Sequence, residues 1–166
     1  MNRYFSQQGA LLGLLLGGSV LMSACEPQDR RPGLWLSGQA AGAPADWTFV
    51  NEPREVFLET HPWYGIPHSV TVVVAEANGK VFVPSIYDED LPFPGTKRWN
   101  TNIAADPNVR LKVGDAIYEM TARPAANDEE WQEGFAALAA KYDFWQELLD
   151  DESKRPPFAI IRLEAR

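Results

Sequence analysis

Lys97 and Arg98 are the residues of this sequence best suited to bind an anion, because they follow Thr96 at the predicted start of a short helix. A threonine hydroxyl caps a helix by accepting a backbone N–H that has no partner in the first turn. The other unpaired N–H groups carry partial positive charge and attract anions, and two cationic side chains add to that attraction. The pattern predicts either a phosphate or carboxylate site, or cations that are solvated or paired with the acidic residues 88–90.

The two histidines, His61 and His68, lie seven residues apart around a proline-rich loop. A zinc site takes three or four clustered ligands, and no cysteine or acidic ligand motif accompanies these histidines, so the sequence predicts no metal site. His68 followed by Ser69 could suggest a nucleophile beside its base. Adjacent residues of a strand point to opposite faces, however, so the pair does not predict a hydrolase.

Four aromatic residues, Trp63, Tyr64, Tyr87 and Trp99, could line a flat cleft that stacks a ring system. Aromatic side chains also pack at the rim of a barrel without binding a ligand, and the sequence leaves both interpretations open. The sequence contains no residue that we would name as a catalytic acid or base.

The N-terminus has the pattern of an export signal. Arg3 is followed by an apolar stretch over residues 10–22 and by two small residues before Cys25, the single cysteine of the chain. The apolar stretch is too short and too rich in glycine to predict a membrane span. It resembles the signal of bacterial lipoproteins, in which the cysteine is lipidated and becomes the first residue. The alternative is a free, buried cysteine.

This resemblance divides the chain into a signal peptide at residues 1–24, a lipidated cysteine and tether at 25–33, and one domain at 34–166. Acyl chains on Cys25 would bind the protein to a lipid membrane. In similar lipoproteins, a residue such as Glu26 after the cysteine is compatible with sorting to the outer membrane. We therefore expect a lipid-anchored, periplasm-facing protein of the bacterial cell envelope.

Length and charge restrict the kind of protein. A chain of 166 residues suits one domain with a real core. Its formal net charge of −8, without clustered cations, predicts that nucleic acid is not a partner. A single cysteine excludes an intramolecular disulfide, so the fold must depend on packing.

Short alternating stretches predict that most of the domain is β-structure. Val109, Leu111 and Val113 alternate with cations, as in a strand with one buried face. Residues 114–115 and 78–79 suit two-residue hairpin turns. The predicted strands cover residues 34–37, 47–50, 55–60, 69–75, 80–86, 109–113, 116–122 and 158–163.

Two of these strands carry further expectations. Residues 69–75 are a nearly continuous run of β-branched side chains, which predicts a strand buried on both faces. Pro84 lies inside the strand at 80–86 and predicts a bulge or a sheet edge, because proline has no backbone N–H.

Two helices complete the prediction. The short helix should end at Asp106–Pro107, and the long helix should cover residues 128–150 with Asn127 and Glu130 as its capping pair. Along the long helix an apolar stripe predicts core packing: Trp131, Phe135, Leu138, Tyr142, Trp145 and Leu149. The fold class is therefore mainly β, a barrel of six or more antiparallel strands with one short and one long α-helix.

The order of these elements resembles the FMN-binding split-barrel superfamily, which includes pyridoxamine-phosphate-oxidase-like and deazaflavin-dependent nitroreductase-like proteins. Residues 46–49 and 59–72 look like a group of bacterial lipoproteins within that superfamily. The residues that carry the deazaflavin-type resemblance are Trp99, Asn102, Asp106, Pro107, Val109, Leu111, Val113 and Gly114.

The resemblance implies an FMN or deazaflavin cofactor whose phosphate is held by two central strands and the helix start. The positions that match this pattern are Gly65, His68, Ser69, Ser85, Lys97, Arg98 and Trp99. It also implies an oxidoreductase, in which hydride chemistry belongs to the cofactor, and a homodimer. Relatives usually carry lysine or arginine where this chain has His68. That difference favours the alternative, a binding or structural envelope lipoprotein that keeps the barrel without a cofactor.

Overall fold

The computed structural model describes residues 33–86 and 99–166, and the statements below concern this part of the chain. It contains eight strands and three α-helices. The strands are β1 Gln39–Ala41, β2 Val56–Thr60, β3 His68–Val72, β4 Ala75–Ala77, β5 Lys80–Ile86, β6 Asn108–Val113, β7 Ala116–Pro124 and β8 Phe158–Ala165. The helices are α1 Trp99–Ala105, α2 Asp128–Lys141 and α3 Asp143–Asp150, with short 3-10 helices at Thr48–Asn51 and Glu152–Lys154.

One curved sheet holds all eight strands. Seven of them follow the order β3-β2-β6-β7-β8-β5-β4, and every neighbouring pair in that order is antiparallel. The strand β1 pairs with β7 in the parallel sense. This architecture confirms the predicted split-barrel fold.

Both predicted hairpin turns are present. Asn78 and Gly79 have positive φ angles of 51° and 77°, which is the conformation that a two-residue type I′ turn requires. Gly114, with φ of 60°, lies in the second turn, where Val113 pairs with Ala116. These turns fix the register of β4 with β5 and of β6 with β7.

The inner face of the sheet forms one hydrophobic core. Leu58, Leu111 and Val83 are fully buried there, on three different strands. Helix α1 adds Trp99 and Ile103 to the same core. The helix ends as predicted, since Asp106 N–H donates the last bond to Asn102 and proline follows.

Helices α2 and α3 cover the outer face of β5 and β8 with a second core. Phe135 of α2 packs with Phe82 and Ile160 of the sheet, and all three side chains are fully buried. This confirms that the predicted apolar stripe is core. The predicted cap is also present, because the side chain of Asn127 accepts the backbone N–H of Glu130 at 2.9 Å.

Two predicted elements are broken, and the two breaks meet. The expected single long helix is divided at Tyr142, whose backbone is extended (φ −133°, ψ 124°). The expected strand at 69–75 is divided into β3 and β4, which lie at opposite ends of the strand order. Between them Val74 has no ladder partner, and the Tyr142 hydroxyl bonds instead to its N–H at 3.2 Å and its carbonyl at 2.9 Å. The expected burial of this strand on both faces is also wrong, because Val70 and Thr71 are only half-buried.

The N-terminal part of the domain corrects two further expectations. Residues 34–37 are not a strand, and the strand in this region is β1. Residues 47–50 are not a strand either, because Thr48 begins a 3-10 helix. The carboxylate of Asp46 binds both the backbone N–H and the hydroxyl of Thr48, which gives the chain a local alternative to a sheet ladder.

The edge predicted at Pro84 is present. Within the described residues, β5 pairs with β4 only from Lys80 to Phe82, whereas it pairs with β8 from Val81 to Ile86. Pro84, which lacks a backbone N–H, therefore lies where one side of the strand has no ladder to maintain.

Replacing Tyr142 by phenylalanine should lower the free energy of unfolding by about 2 kcal/mol, because the buried N–H of Val74 would lose its partner. The hydroxyl also binds the carbonyl of Arg54 at 2.8 Å. The measurement is urea unfolding, with Tyr118→Phe as the matched control, since the Tyr118 hydroxyl makes no hydrogen bond within the described residues. Equal stability of the two variants would contradict the assigned role of the Tyr142 hydroxyl.

Candidate functional site

One end of the barrel gathers most of the described candidate residues. Since neighbouring strands are antiparallel, the first residue of β3 and the last residues of β2 and β5 lie at the same end. We call this the site end and define it by Thr60, His68, Ser85 and helix α1. The segment 87–98, which the structure does not describe, connects Ser85 and its strand to α1.

Helix α1 is attached to the sheet at the site end. The side-chain amide of Asn102 donates a hydrogen bond to the hydroxyl of Thr60 at 2.9 Å. Trp99, predicted to bind cofactor, is 6% exposed and packs in the inner core. The start of α1 is therefore anchored to the sheet by packing and by this hydrogen bond.

Ser85 carries a buried side-chain hydroxyl at the site end. Its side chain is 1% exposed and its Oγ has no hydrogen bond within the described part of the chain. It lies on the same face of β5 as Val83, so it points toward the inner core side. An unpaired buried hydroxyl is destabilising by about 1–3 kcal/mol, so this position fits the polar edge of a bound molecule.

His68 forms a pair with Tyr64 at the edge of the site end. The Tyr64 hydroxyl and His68 Nε2 share a hydrogen bond of 2.7 Å, and the rings meet edge to face at 5.6 Å. The pairing is possible because Gly65, with φ of 79°, lets the loop 61–67 turn back. The N–H of Gly65 donates a hydrogen bond to the carbonyl of Pro62 in this turn. The loop thus places a hydrogen-bonded tyrosine–histidine pair beside the site.

Ser69 lies on the other face of the sheet. Adjacent residues alternate, so Ser69 is opposite Glu59 of β2, while His68 is opposite Thr60. The backbone of Ser69 exchanges two hydrogen bonds with Gly33. The structure therefore brings Gly65, His68, Ser85 and Trp99 to one end but separates the Ser69 side chain from them. Lys97, Arg98 and Tyr87 lie outside the described residues, as do Thr96, residues 88–90 and Cys25.

An N-terminal arm, residues 33–41, crosses the outer face of this half of the sheet, where the sequence predicted only a strand at 34–37. Its contacts with four successive strands are Gly33 with Ser69, Leu36 with Glu59, Ser37 with Lys112 and Gln39 with Ala116. Glu59 is 1% exposed and also binds Arg110 at 3.1 Å. The arm therefore covers a charged cluster. The sequence predicted the alternating cations of β6 but not their pairing beneath the arm.

A concave region lies at the break between α2 and α3. It has a volume of about 300 Å³ and is lined by Asn51, Glu52, Arg54, Lys141, Tyr142 and Asp143. Burial lowers the pKa of Lys141 to about 8. Its Nζ donates hydrogen bonds to the carbonyls of Val50 and Val74, at 2.9 and 2.8 Å. These groups hold the fold together, so the site end is the better candidate for a binding site.

No group of three or more metal-ligating side chains occurs within residues 33–86 and 99–166. None of the helices in that part of the chain combines the length and the apolar character needed to cross a membrane.

Comparison with solved structures defines the class of protein. The conserved hypothetical protein Rv2991 from Mycobacterium tuberculosis is 20% identical over 71% of this chain and 76% of its own, with a TM-score of 0.53. The heme storage protein HutZ from Vibrio cholerae is 18% identical over 71% and 85%, with a TM-score of 0.54. A structure described as a domain-swapped dimer is 21% identical over 67% and 80%, with a TM-score of 0.53. The chain shares their fold.

The sequence then places the chain within this class. Residues 65–152, more than half of the chain, match the family of F420H(2)-dependent quinone reductases. The chain belongs to that family, which confirms the predicted membership of the split-barrel superfamily on its deazaflavin-dependent side. No curated protein matches the chain significantly.

Proposed function

We propose that this chain is a lipid-anchored oxidoreductase of the bacterial envelope whose split barrel binds a deazaflavin. The observation that carries the cofactor part is the buried, unpaired hydroxyl of Ser85 at the site end. The family match supports a deazaflavin in preference to FMN.

Different residues of the chain would bind different parts of the cofactor. Ser85 would hydrogen-bond a polar atom of the cofactor, while Lys97 and Arg98 would neutralise its phosphate. Trp99 and Asn102 would keep the start of α1 in place, because one is packed in the core and the other is bonded to Thr60. When bound, a deazaflavin supplies hydride transfer.

Reduction of a quinone-like acceptor by hydride also needs a proton, and Tyr64 and His68 are placed to hold one. Their shared hydrogen bond of 2.7 Å keeps a proton between the Tyr64 hydroxyl and His68 Nε2. The Tyr64 side chain is about half exposed, so the pair can exchange protons with water. We assign these residues to proton supply at the site end.

The anchor and the assembly belong to the same proposal. Acylation of Cys25 would hold the domain at the outer membrane on the periplasmic side, as the lipoprotein signal pattern favours. A homodimer is the proposed assembly, supported by the description of one similar structure as a domain-swapped dimer.

A second candidate function is a cofactor-free barrel lipoprotein. The observation that favours it is the state of His68, which replaces the permanent cation of relatives and already bonds to Tyr64. In that case the site end would be a binding surface for another envelope component.

Titration of the chain from residue 25 onward, carrying Cys25→Ser, with F420-type deazaflavin and with FMN tests the proposal. We expect saturable deazaflavin binding, weakened at least about tenfold by Arg98→Ala and by less in Ser85→Ala, because a charge-assisted bond contributes more than a neutral one. Lys154→Ala, an exposed cation on the 3-10 helix Glu152–Lys154, is the control. Folded protein that binds neither cofactor would support the cofactor-free alternative, and an Arg98→Ala variant with unchanged affinity would exclude the phosphate role of Arg98.

A further inference from the structure

Five large apolar side chains are exposed at one corner of the molecule. Within the described residues, six such side chains are at least 43% exposed, and the sixth, Phe144, lies on α3. The five are named here the apolar patch: Leu34, Trp35, Trp63, Tyr64 and Ile66.

Two segments meet to form the apolar patch. Gly33 and Ser69 exchange backbone hydrogen bonds of 3.1 and 3.2 Å, and this bridge brings the N-terminal arm beside the start of β3. Leu34 and Trp35 follow the bridge directly on one side, and the loop 61–67 precedes it on the other. Trp63, which is 92% exposed, contacts the ring of Tyr64 at 5.6 Å.

The two stretches of sequence that carry the patch contain no aspartate, glutamate, lysine or arginine. The chain has 23 acidic and 15 basic residues, yet none of them occurs in residues 32–45 or 60–75, the two stretches that contain the patch. Exposed apolar side chains are expected singly on a soluble surface, whereas a cluster without charges marks an interaction site. Stretches without acidic residues can also approach anionic headgroups with little repulsion, although the whole chain is acidic.

The chemistry of the patch fits a lipid bilayer. Tryptophan and tyrosine concentrate at membrane–water interfaces, where an apolar ring body and a polar tip both find suitable surroundings. Gly33 is eight residues after Cys25, so an acylated cysteine could lie at most about 28 Å from the patch. Arg30 and Arg31 lie between them in sequence and suit anionic headgroups.

We propose that the apolar patch is a membrane-contacting surface that holds the site end of the barrel against the lipid bilayer. The partner of this surface is the bilayer interface, into which Trp35, Trp63 and Ile66 insert. The proposed acylation of Cys25 only delivers the patch to the membrane, and the contact does not depend on it or on a cofactor.

Vesicle binding without the acyl chain tests this inference. All buried side chains in the described residues lie between Leu36 and Leu163, so a chain from residue 25 onward keeps the described core. With Cys25→Ser, this protein should sediment saturably with phosphatidylethanolamine–phosphatidylcholine vesicles. Brominated lipids should quench its fluorescence, because Trp35 and Trp63 are the exposed tryptophans, whereas Trp47, Trp99 and Trp145 are buried.

A matched pair of variants gives the contrast. Trp63→Ser should weaken vesicle binding at least about fivefold, because binding scales with the apolar area that enters the interface. Phe144→Ser removes a ring that is 52% exposed outside the patch and should leave binding unchanged. Thermal unfolding should verify that both variants are folded, as expected for exposed positions.

Three results would overturn the inference. The first is an absence of vesicle binding by folded protein, and the second is an equal loss of binding in Phe144→Ser. The third is a dimer in solution that Trp63→Ser dissociates without any vesicle binding, since a second copy of the chain would then cover the patch. No cofactor is present in these experiments, so their failure is distinct from failure of the deazaflavin titration.

Discussion

Replacing Gly134 by valine should lower the free energy of unfolding by about 3 kcal/mol, because the site has no space for a side chain. A Cβ atom at Gly134 would lie 2.5 Å from Cγ2 of Ile160 and 2.7 Å from Cδ1 of Phe82. Both of those side chains are fully buried, so neither can move into solvent. Valine would push α2 away from β5 and β8 and open the outer core.

Urea unfolding measures this effect, and the same helix provides the control. Ala136→Val places an identical side chain on an exposed position of α2, where only helix propensity changes, by about 0.5 kcal/mol. Gly42→Ala is a second control, since no atom lies within 4 Å of a Cβ built there. If Gly134→Val were no less stable than Ala136→Val, the close contact of helix and sheet would not be essential to the fold.

The contact at Gly134 was not predictable from the sequence, although the helix around it was. Helical spacing placed Phe135 and Leu138 in a core, and the structure confirms it. Periodicity does not say how closely a helix approaches its sheet, because that distance depends on Phe82 and Ile160, which are remote in sequence. A glycine inside a strong helix pattern was the one available signal of close approach.

Features that depend on adjacent residues, such as the hairpins, were predicted correctly. Features that depend on contacts between residues remote in sequence were missed. Residues 78–79 and 114–115 determine their turns by themselves, since only certain residues tolerate positive φ. The breaks at Tyr142 and at Val74 depend on each other, because the Tyr142 hydroxyl and the Lys141 ammonium replace the ladder partners that Val74 loses. The sequence of neither segment alone predicts this contact.

The candidate site shows the same division. Alternation correctly separated His68 from Ser69, and the resemblance brought attention to Ser85. The bond between His68 and Tyr64 depends on the left-handed Gly65, which a loop rich in proline and glycine permits but does not specify. The N-terminal arm was predicted only as a strand at 34–37. The strand β1 was missed because its uncharged, alanine-rich sequence has weak strand propensity and forms a strand only where β7 offers an edge.

Glu130→Gln is the second change with a large expected effect, and its signature is in the dependence on pH. Glu130 is 7% exposed and binds two arginines, Arg123 at 2.7 and 3.1 Å and Arg162 at 2.8 Å. It also accepts the backbone N–H of Ala126 at 2.7 Å. The hydrogen bonds from Arg123 hold the pKa of Glu130 well below its ordinary value of 4.5.

A carboxylate with a depressed pKa stabilises the folded state fully above its unfolded pKa, and this contribution is lost as the pH falls toward the folded pKa. Wild-type stability should therefore decrease below about pH 4.5, while Glu130→Gln should show a smaller decrease there. At pH 7 the variant should be less stable by about 3 kcal/mol, because two guanidinium groups lose the charge between them. The effect is largest where Glu130 is ionised.

Urea unfolding at pH 7, 5, 4 and 3 separates this electrostatic effect from a general loss of packing. Glu129→Gln is the matched control, since it removes an exposed carboxylate from the same first turn of α2 and keeps the Asn127 cap. If the stability of wild type and of Glu130→Gln changed in parallel across this pH range, the arginines would stabilise the ionised and the neutral side chain equally. Converging curves toward pH 3 would establish that the charge of Glu130 joins α2 to β7 and β8, the framework on which the site end is held.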